Sequence, residues 1–268
     1  MSLGQKQVAR FVVDNKPSVA CATVSETAQE AGVSAATVVR FCQRLGYDGY
    51  SDLQGAVQRE FPRFVTTAQK LEATLASSIP ENNILAEVFA TNIDNIKRTL
   101  ALTDPADWEA AVSEICHATA ILVVGEALSA SLAILLRRSL KLMGFRADAV
   151  TGGGASLSLE INNLQPSDVM IGVGFWRYSQ DTIDAMRWAT EIGAKRIALT
   201  DSEVSPLAQL ADYVFVVATT GVSHSKSLVG PISLIDAFVV ALSLQRPQQT
   251  LETLRAVDAT RASKLLKG

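Results

Sequence analysis

The sequence predicts an all-α N-terminal domain followed by an α/β C-terminal domain built on a doubly wound, five-stranded parallel sheet. Three observations carry that reading. Residues 1–60 read as short helices, and residues 61–105 stay mostly helical but are broken by Pro62, Pro80 and Pro105. From residue 118 onward, short apolar runs rich in Val and Ile alternate with longer amphipathic segments. Strands alternating with helices of that length predict a parallel sheet covered on both faces.

The five runs are "ATAILVVG", "FRADAV", "DVMIGVG", "KRIALTD" and "DYVFVVAT". The segments 127–143, 155–163, 179–193 and 228–245 read as the helices between and after them. The stretch 248–268 reads as an amphipathic C-terminal helix suited to packing on a partner subunit. The chain therefore divides into an N-terminal domain (1–77), a helical linker (78–105), the α/β domain (106–247) and the C-terminal helix (248–268). No internal repeat or low-complexity tract interrupts this order.

A chain of 268 residues with 48% hydrophobic and 19% charged residues has the length of about two globular domains. The net charge of −3 argues against coating nucleic acid through bulk electrostatics. Residues 1–65 nevertheless carry seven Lys/Arg against six acids, so any DNA binding must rest on placement and on pairing of two copies. Three cysteines without metal-ligand spacing read as reduced thiols of a cytoplasmic protein, with no metal site and no cofactor. The N-terminus lacks the pattern of a signal peptide. No run of 18 apolar residues exists, and Arg137, Arg138 and Lys141 interrupt the one long apolar helix, so no membrane partner is expected.

The stretch "SETAQEAGVSAATVVRFCQRLGY", residues 25–47, is the most informative in the N-terminal domain. Ser25 is a plausible N-cap, Gly32 ends the first helix, and Ser34 caps a second helix running to Leu45, which Gly46 terminates. Val38, Cys42 and Leu45 then fall on a core face, with Thr37, Arg40 and Arg44 on the opposite one. That is helix-turn-helix logic, in which the second helix enters the major groove. Ser34 and Thr37 can donate to phosphate or base edges, Arg40 can grip guanine with two donors, and Arg44 reaches phosphate. On spacing alone a plain helical hairpin remains open.

The longer run "VSETAQEAGVSAATVVRFCQRLGYDGYSDLQ" resembles the N-terminal domain of RpiR-type (MurR/RpiR) bacterial transcriptional regulators. Ala28, Val33, Ser34, Thr37, Val38, Arg40, Phe41, Leu45, Gly46, Tyr47, Gly49, Tyr50, Asp52 and Leu53 match that family's pattern. The resemblance implies a DNA reader contacting an operator through Ser34, Thr37, Arg40, Arg44 and Tyr47.

Residues from about 105 to 245 resemble the sugar isomerase (SIS) domain that the same family carries behind its reader. The match runs over "ILVVGEALSASLAILLRRSLKLMG", "DVMIGVG", "TIDAMRWATEIGAKRIALTDSEVSPLAQLADYVFVV" and "LIDAFVVAL". Ligands of open parallel sheets sit at the carboxyl ends of the strands, beside helix N-termini that attract anions. The resemblance places Gly125 and Ser129 of "GEALSAS" in the first loop, where Glu126 and Ala127 depart from the usual small residues. The family's "S-x-S-G-x-T" loop, which cradles a sugar phosphate, is here "GFWRYSQDT". Gly174 and Trp176 stand at the two serines, Arg177 at the glycine and Ser179 at the threonine.

Arg177 offers a fork of donors for a carboxylate or phosphate, and Trp176 a flat apolar face. The expected ligand is a small anionic metabolite, a sugar phosphate or a sugar acid. Its expected contacts are Gly125, Glu126, Ser129, Trp176, Arg177, Ser179 and Gln180. The competing reading is a degenerate pocket filled by Trp176 and by Arg177 paired to Glu126. His224, Lys226 and the glycine turn of "TGGGASLSLE" are weaker candidates at the same edge.

No catalytic residue is assigned. Glu126, Glu160 and His224 are possible bases, but none lies in a recognisable catalytic motif, and the grip that would orient a substrate is altered. The expected protein is a homodimer or homotetramer, assembled chiefly through the SIS-like domains, that pairs two readers on a pseudo-palindromic operator. The alternatives are a sugar-phosphate isomerase and a DNA-binding oligomer indifferent to ligand.

Overall fold

A computed structural model describes residues 1–15, 19, 22–60, 67–76 and 83–265. Pro62 and Pro80, read above as helix breaks, lie outside the described residues, as do Cys21 and the last three residues of the expected C-terminal helix. The chain divides into two compact units, Met1–Ser77 and Ser78–Gly268.

The first unit is helical: α1 (Leu3–Asp14), α2 (Val24–Glu30), α3 (Ala35–Arg44), α4 (Tyr50–Glu60) and α5 (Thr67–Ala76). Helix α2 starts one residue before the expected cap, because Thr23 and not Ser25 closes its N-terminus. Thr23 accepts from the Glu26 N–H, and the Glu26 carboxylate accepts from the Thr23 N–H. Such a reciprocal capping box satisfies two orphan donors, which Ser25 cannot match. Ser34 caps α3 as expected, and Gly46 follows it with φ of 92°, a left-handed backbone that favours glycine.

The core of this unit gathers Val8, Val12, Ala28, Val38, Phe41, Cys42, Leu53 and Val57. The buried face of α3 is thus Val38, Phe41 and Cys42, whereas Leu45 is 50% exposed. The helix ends at Arg44, so Leu45 leaves the helical arc and Phe41, at i+3 from Val38, takes its expected place. A polar buckle ties the core to the segment before α2. The Tyr50 hydroxyl lies 2.6 Å from that of Thr27 and 3.1 Å from the carbonyls of Val19 and Ala22, which also accept from the Gln54 amide. Burial pushes the Tyr50 hydroxyl above its ordinary range and the Cys42 thiol up to about 11.

The second unit holds α6 (Ile84–Leu102), α7 (Pro105–His117), β1 (Ile121–Val124), α8 (Leu128–Leu142), β2 (Ala147–Val150), α9 (Ala155–Asn162), β3 (Val169–Gly174), α10 (Gln180–Ile192), β4 (Lys195–Thr200), β5 (Tyr213–Val216), α11 (Val229–Gln245) and α12 (Pro247–Leu265). Every predicted apolar run became a strand. Pro105 opens α7 behind the cap Asp104, where a missing N–H costs nothing. The strands pair in parallel in the order β2-β1-β3-β4-β5, with Ile121 opposite both Ala147 and Val169.

Side chains of β1 alternate between two layers, as period two demands. Ile121 and Val123 join one layer with Leu132, Leu136, Phe215 and Phe238, against α7, α8 and α11. Leu122 and Val124 join the other with Leu157, Met170 and Met186, against α9 and α10. The sheet is doubly wound. Among the described residues no single helix is long and apolar enough to cross a membrane.

Helix α6, from the stretch read as a linker, packs within this second unit. The Asn95 amide donates to the Thr220 carbonyl at 2.7 Å and accepts from its N–H at 3.1 Å. The Thr99 hydroxyl accepts from the Ala218 N–H at 3.0 Å.

Candidate functional site

Two places bring the sequence-derived residues together, one in each unit. In the first, Ser34, Arg40 and Arg44 are exposed, while Thr37 and Tyr47 are half-buried. The Thr37 N–H donates to the Ser34 hydroxyl at 3.3 Å, and the two hydroxyls lie 2.9 Å apart, a polar pair at the α3 N-terminus. The Thr37 methyl leans toward α1, where a side chain at Gly4 would meet it at 3.2 Å. Tyr47 packs against the core cluster. No described residue holds Arg40 or Arg44 in an ion pair.

In the second unit, β1 feeds α8 on one face and β3 feeds α10 on the other. Their carboxyl-end loops therefore diverge at the switch point between adjacent strands. Gly125 packs so closely that a Cβ would lie 3.1 Å from the Val173 carbonyl oxygen. The Ser179 hydroxyl, at the N-cap of α10, donates to the Glu126 carboxylate at 2.6 Å and makes no bond to its own helix. That bond joins the two loops. The partner of Glu126 is thus Ser179, where the filled-pocket reading had Arg177.

The β3 loop turns sharply. Trp176 has φ of 62°, and the Arg177 N–H reaches back to the Phe175 carbonyl at 2.6 Å. A tryptophan in that region carries backbone strain, so the loop needs external support. Asp201, at the carboxyl end of β4, supplies it by accepting from the Trp176 N–H at 3.1 Å and the Tyr178 hydroxyl at 2.6 Å. Arg177 is exposed, its guanidinium 4.9 Å from the Trp176 ring centroid, and the Lys226 ammonium lies 5.8 Å from the same ring. Ser129 is 5% exposed, beneath the first loop. Gln180 points along its helix to Asp184 at 2.9 Å. His224 is exposed beside Ser223.

At the same sheet edge a cleft of about 370 Å³ opens, lined by Thr151, Gly152, Gly153, Ser156 and Glu160. Its link to the β3 loop is Asp181, whose carboxylate occupies the space of a Cβ at Gly153, only 1.3 Å from that position. A side chain at Gly153 would have to push that carboxylate aside. The Thr182 hydroxyl, in the first turn of α10 and 2% exposed, has no hydrogen-bond partner among the described residues. No cluster of metal-ligating side chains occurs among the described residues.

These two arrangements coincide with known families. Residues 1–63 match the helix-turn-helix domain of the rpiR family, and residues 114–241 match the SIS domain. The sugar isomerase domain of an RpiR transcription factor from Sphaerobacter thermophilus is 42% identical, with a TM-score of 0.65. That alignment covers 66% of this chain and 99% of that one. The chain belongs to the RpiR family of transcription regulators. An uncharacterized HTH-type transcriptional regulator of Haemophilus influenzae is 28% identical over 217 residues, 81% of this chain and 75% of its relative. The NanR protein of Vibrio vulnificus, complexed with ManNAc-6P, shares the fold over 97% of this chain and 93% of its own, at 23% identity and a TM-score of 0.65.

Within this RpiR regulator, sequence reasoning missed Asp201, Tyr178, Asp181 and Thr182. The first three meet partners more than twenty residues away in the chain, and a lone Asp after a strand carries no local signal. Thr182 ends the run "GFWRYSQDT", and only its burial without a hydrogen-bond partner among the described residues separates it from any other helical threonine.

Proposed function

We propose that this regulator binds an operator through Ser34, Thr37, Arg40, Arg44 and Tyr47 as a homodimer or homotetramer. Its SIS domain senses a small anionic metabolite, a sugar phosphate or sugar acid, and alters operator binding without turning the metabolite over. One observation carries the effector class: Arg177 and Lys226 flank the Trp176 ring beside the N-terminus of α10. Two cations at a helix N-terminus favour an anion, and the aromatic face suits a sugar ring. ManNAc-6P bound to the similarly folded NanR protein is a ligand of the same class.

Asp201, Asp181 and Glu126 beside the β3 loop oppose an anion, but each has a structural task. Asp201 holds the β3 loop, Asp181 packs on Gly153, and Glu126 engages Ser179. An anion that uses the Ser179 hydroxyl must displace Glu126. To control the readers, the effector must bind one arrangement of the protein better than another, and typical coupling is about 1–3 kcal/mol.

Thermal-shift titration with sugar phosphates and sugar acids tests the effector class. A ligand at a hundred times its Kd stabilises by about 2.7 kcal/mol. The reading expects a member of either class to raise the melting temperature, and Arg177→Ala to abolish the rise. A shift unaffected by Arg177→Ala rejects the site. Product formed from the same compounds, followed by NMR, rejects the non-enzymatic role.

A further inference from the structure

The Glu126–Ser179 bond has two features that packing alone does not explain. The first is backbone strain at both of its ends. Among the described residues only two that are not glycine adopt a left-handed backbone, Ala127 with φ of 51° and Trp176 with φ of 62°. Ala127 directly follows Glu126, and Trp176 stands three residues before Ser179. The bond thus joins the two strained loops, and such strain persists only where neighbouring structure enforces it.

The second feature is the direction of the Ser179 hydroxyl. A serine at an N-cap ordinarily accepts from an N–H of the first helical turn. Ser179 does not; it donates to the half-buried Glu126 carboxylate at 2.6 Å, a length typical of a charge-assisted bond. The first turn of α10 is therefore left without a side-chain acceptor at its cap. In that turn the Thr182 hydroxyl, 2% exposed, also lacks a hydrogen-bond partner among the described residues. No cation among the described residues pairs with Glu126.

We propose that Glu126 is an internal anion that latches the effector site shut. Its carboxylate holds the place at the α10 N-terminus that the anionic group of an effector takes, and both loops keep their strained turns while it stays. The latch rests on the effector site described above and names the residue that sets its threshold. A helix N-terminus favours negative charge from either source, so carboxylate and ligand compete for one hydroxyl and one dipole. Without a paired cation the carboxylate has only the hydroxyl to lose. Its departure lets Ala127 relax, which ties binding to a change in the β1–α8 loop. A site open in one molecule of ten binds about tenfold more weakly than one always open.

Calorimetric titration of the full chain with inorganic phosphate tests the latch. Glu126→Ala should bind phosphate about tenfold tighter than the wild type. In a Ser179→Ala background no latch forms, and the same substitution should gain less than about threefold, the share owed to lost charge. If Glu126→Ala fails to fold, Glu126→Gln decides. Its neutral acceptor holds the hydroxyl about half as strongly, so phosphate should still bind it more tightly than the wild type. Phosphate bound no tighter by the folded variant than by the wild type would overturn the latch. Equal gains in both backgrounds would overturn it too, since charge removal alone would account for them. A gain that survives Arg177→Ala supports the latch and rejects the Arg177 effector site instead, so the two failures stay distinct.

Discussion

The reader helix and the switch-point loops place their functional side chains by different physics. On α3, exposure follows from 3.6-residue periodicity, a Ser34 cap and a buried face of Val38, Phe41 and Cys42, all within a dozen residues. At the switch point, Trp176 and Ser179 are held by Asp201 and Glu126, 25 and 53 residues away in the chain. A helix presents side chains by its own geometry. A strained loop does so only while distant groups hold it, so its chemistry drifts more easily from a family pattern.

The sharpest way to break this contrast is at the buried face of α3. Phe41→Ala should destabilise the first unit by about 3–5 kcal/mol, while Leu45→Ala should cost well under 1 kcal/mol, as measured by urea unfolding. Equal effects would restore Leu45 to the core and undo the corrected face. On the exposed face, Arg40→Ala should weaken operator binding by roughly 1–3 kcal/mol and relax base preference, with the melting temperature unchanged. Anisotropy titration against operator and mutated operators reads both.

In the loop, Asp201→Ala leaves the Trp176 N–H and Tyr178 hydroxyl without their acceptor and should cost about 1–3 kcal/mol. The effector-induced thermal shift should fall with it, while DNA binding without effector persists. A variant that keeps the full shift would mean the loop supports itself.

The first unit also carries a pH dependence of its own. Burial raises the Cys42 thiol from 9.0 to about 11 in the folded state, so the folded chain holds that proton more tightly than the unfolded one. The contribution is complete below pH 9 and is lost as pH rises toward 11. Urea midpoints should decline over that window, and Cys42→Ala should lessen the decline, the buried Tyr50 hydroxyl keeping part of it.

Much of the molecule was legible because its signals are local. Ser34, Gly46 and the five apolar runs each act within one turn or one strand. Thr23 was legible in principle, since Thr23 and Glu26 form the spacing of a capping box, yet Ser25 offered a second hydroxyl and the reciprocal bond decided between them. Leu45 was misplaced because extending the helical period one residue past Arg44 assigned it a face it does not have. Nothing adjacent to Asp201 advertises that it supports Trp176. The inward polar face of α6 was hidden too, because Asn92, Asn95 and Thr99 bond backbone and side-chain groups more than a hundred residues away.

The sequence by itself determined the elements, their order and the family, since caps, periodicity and β-branched runs fix local backbone choices against solvent. Only the tertiary structure decided which groups meet at the sheet edge, how Glu126 engages Ser179 and which side of α6 faces water. Those outcomes depend on hydrogen bonds between segments far apart in the chain, formed where packing excludes competing water.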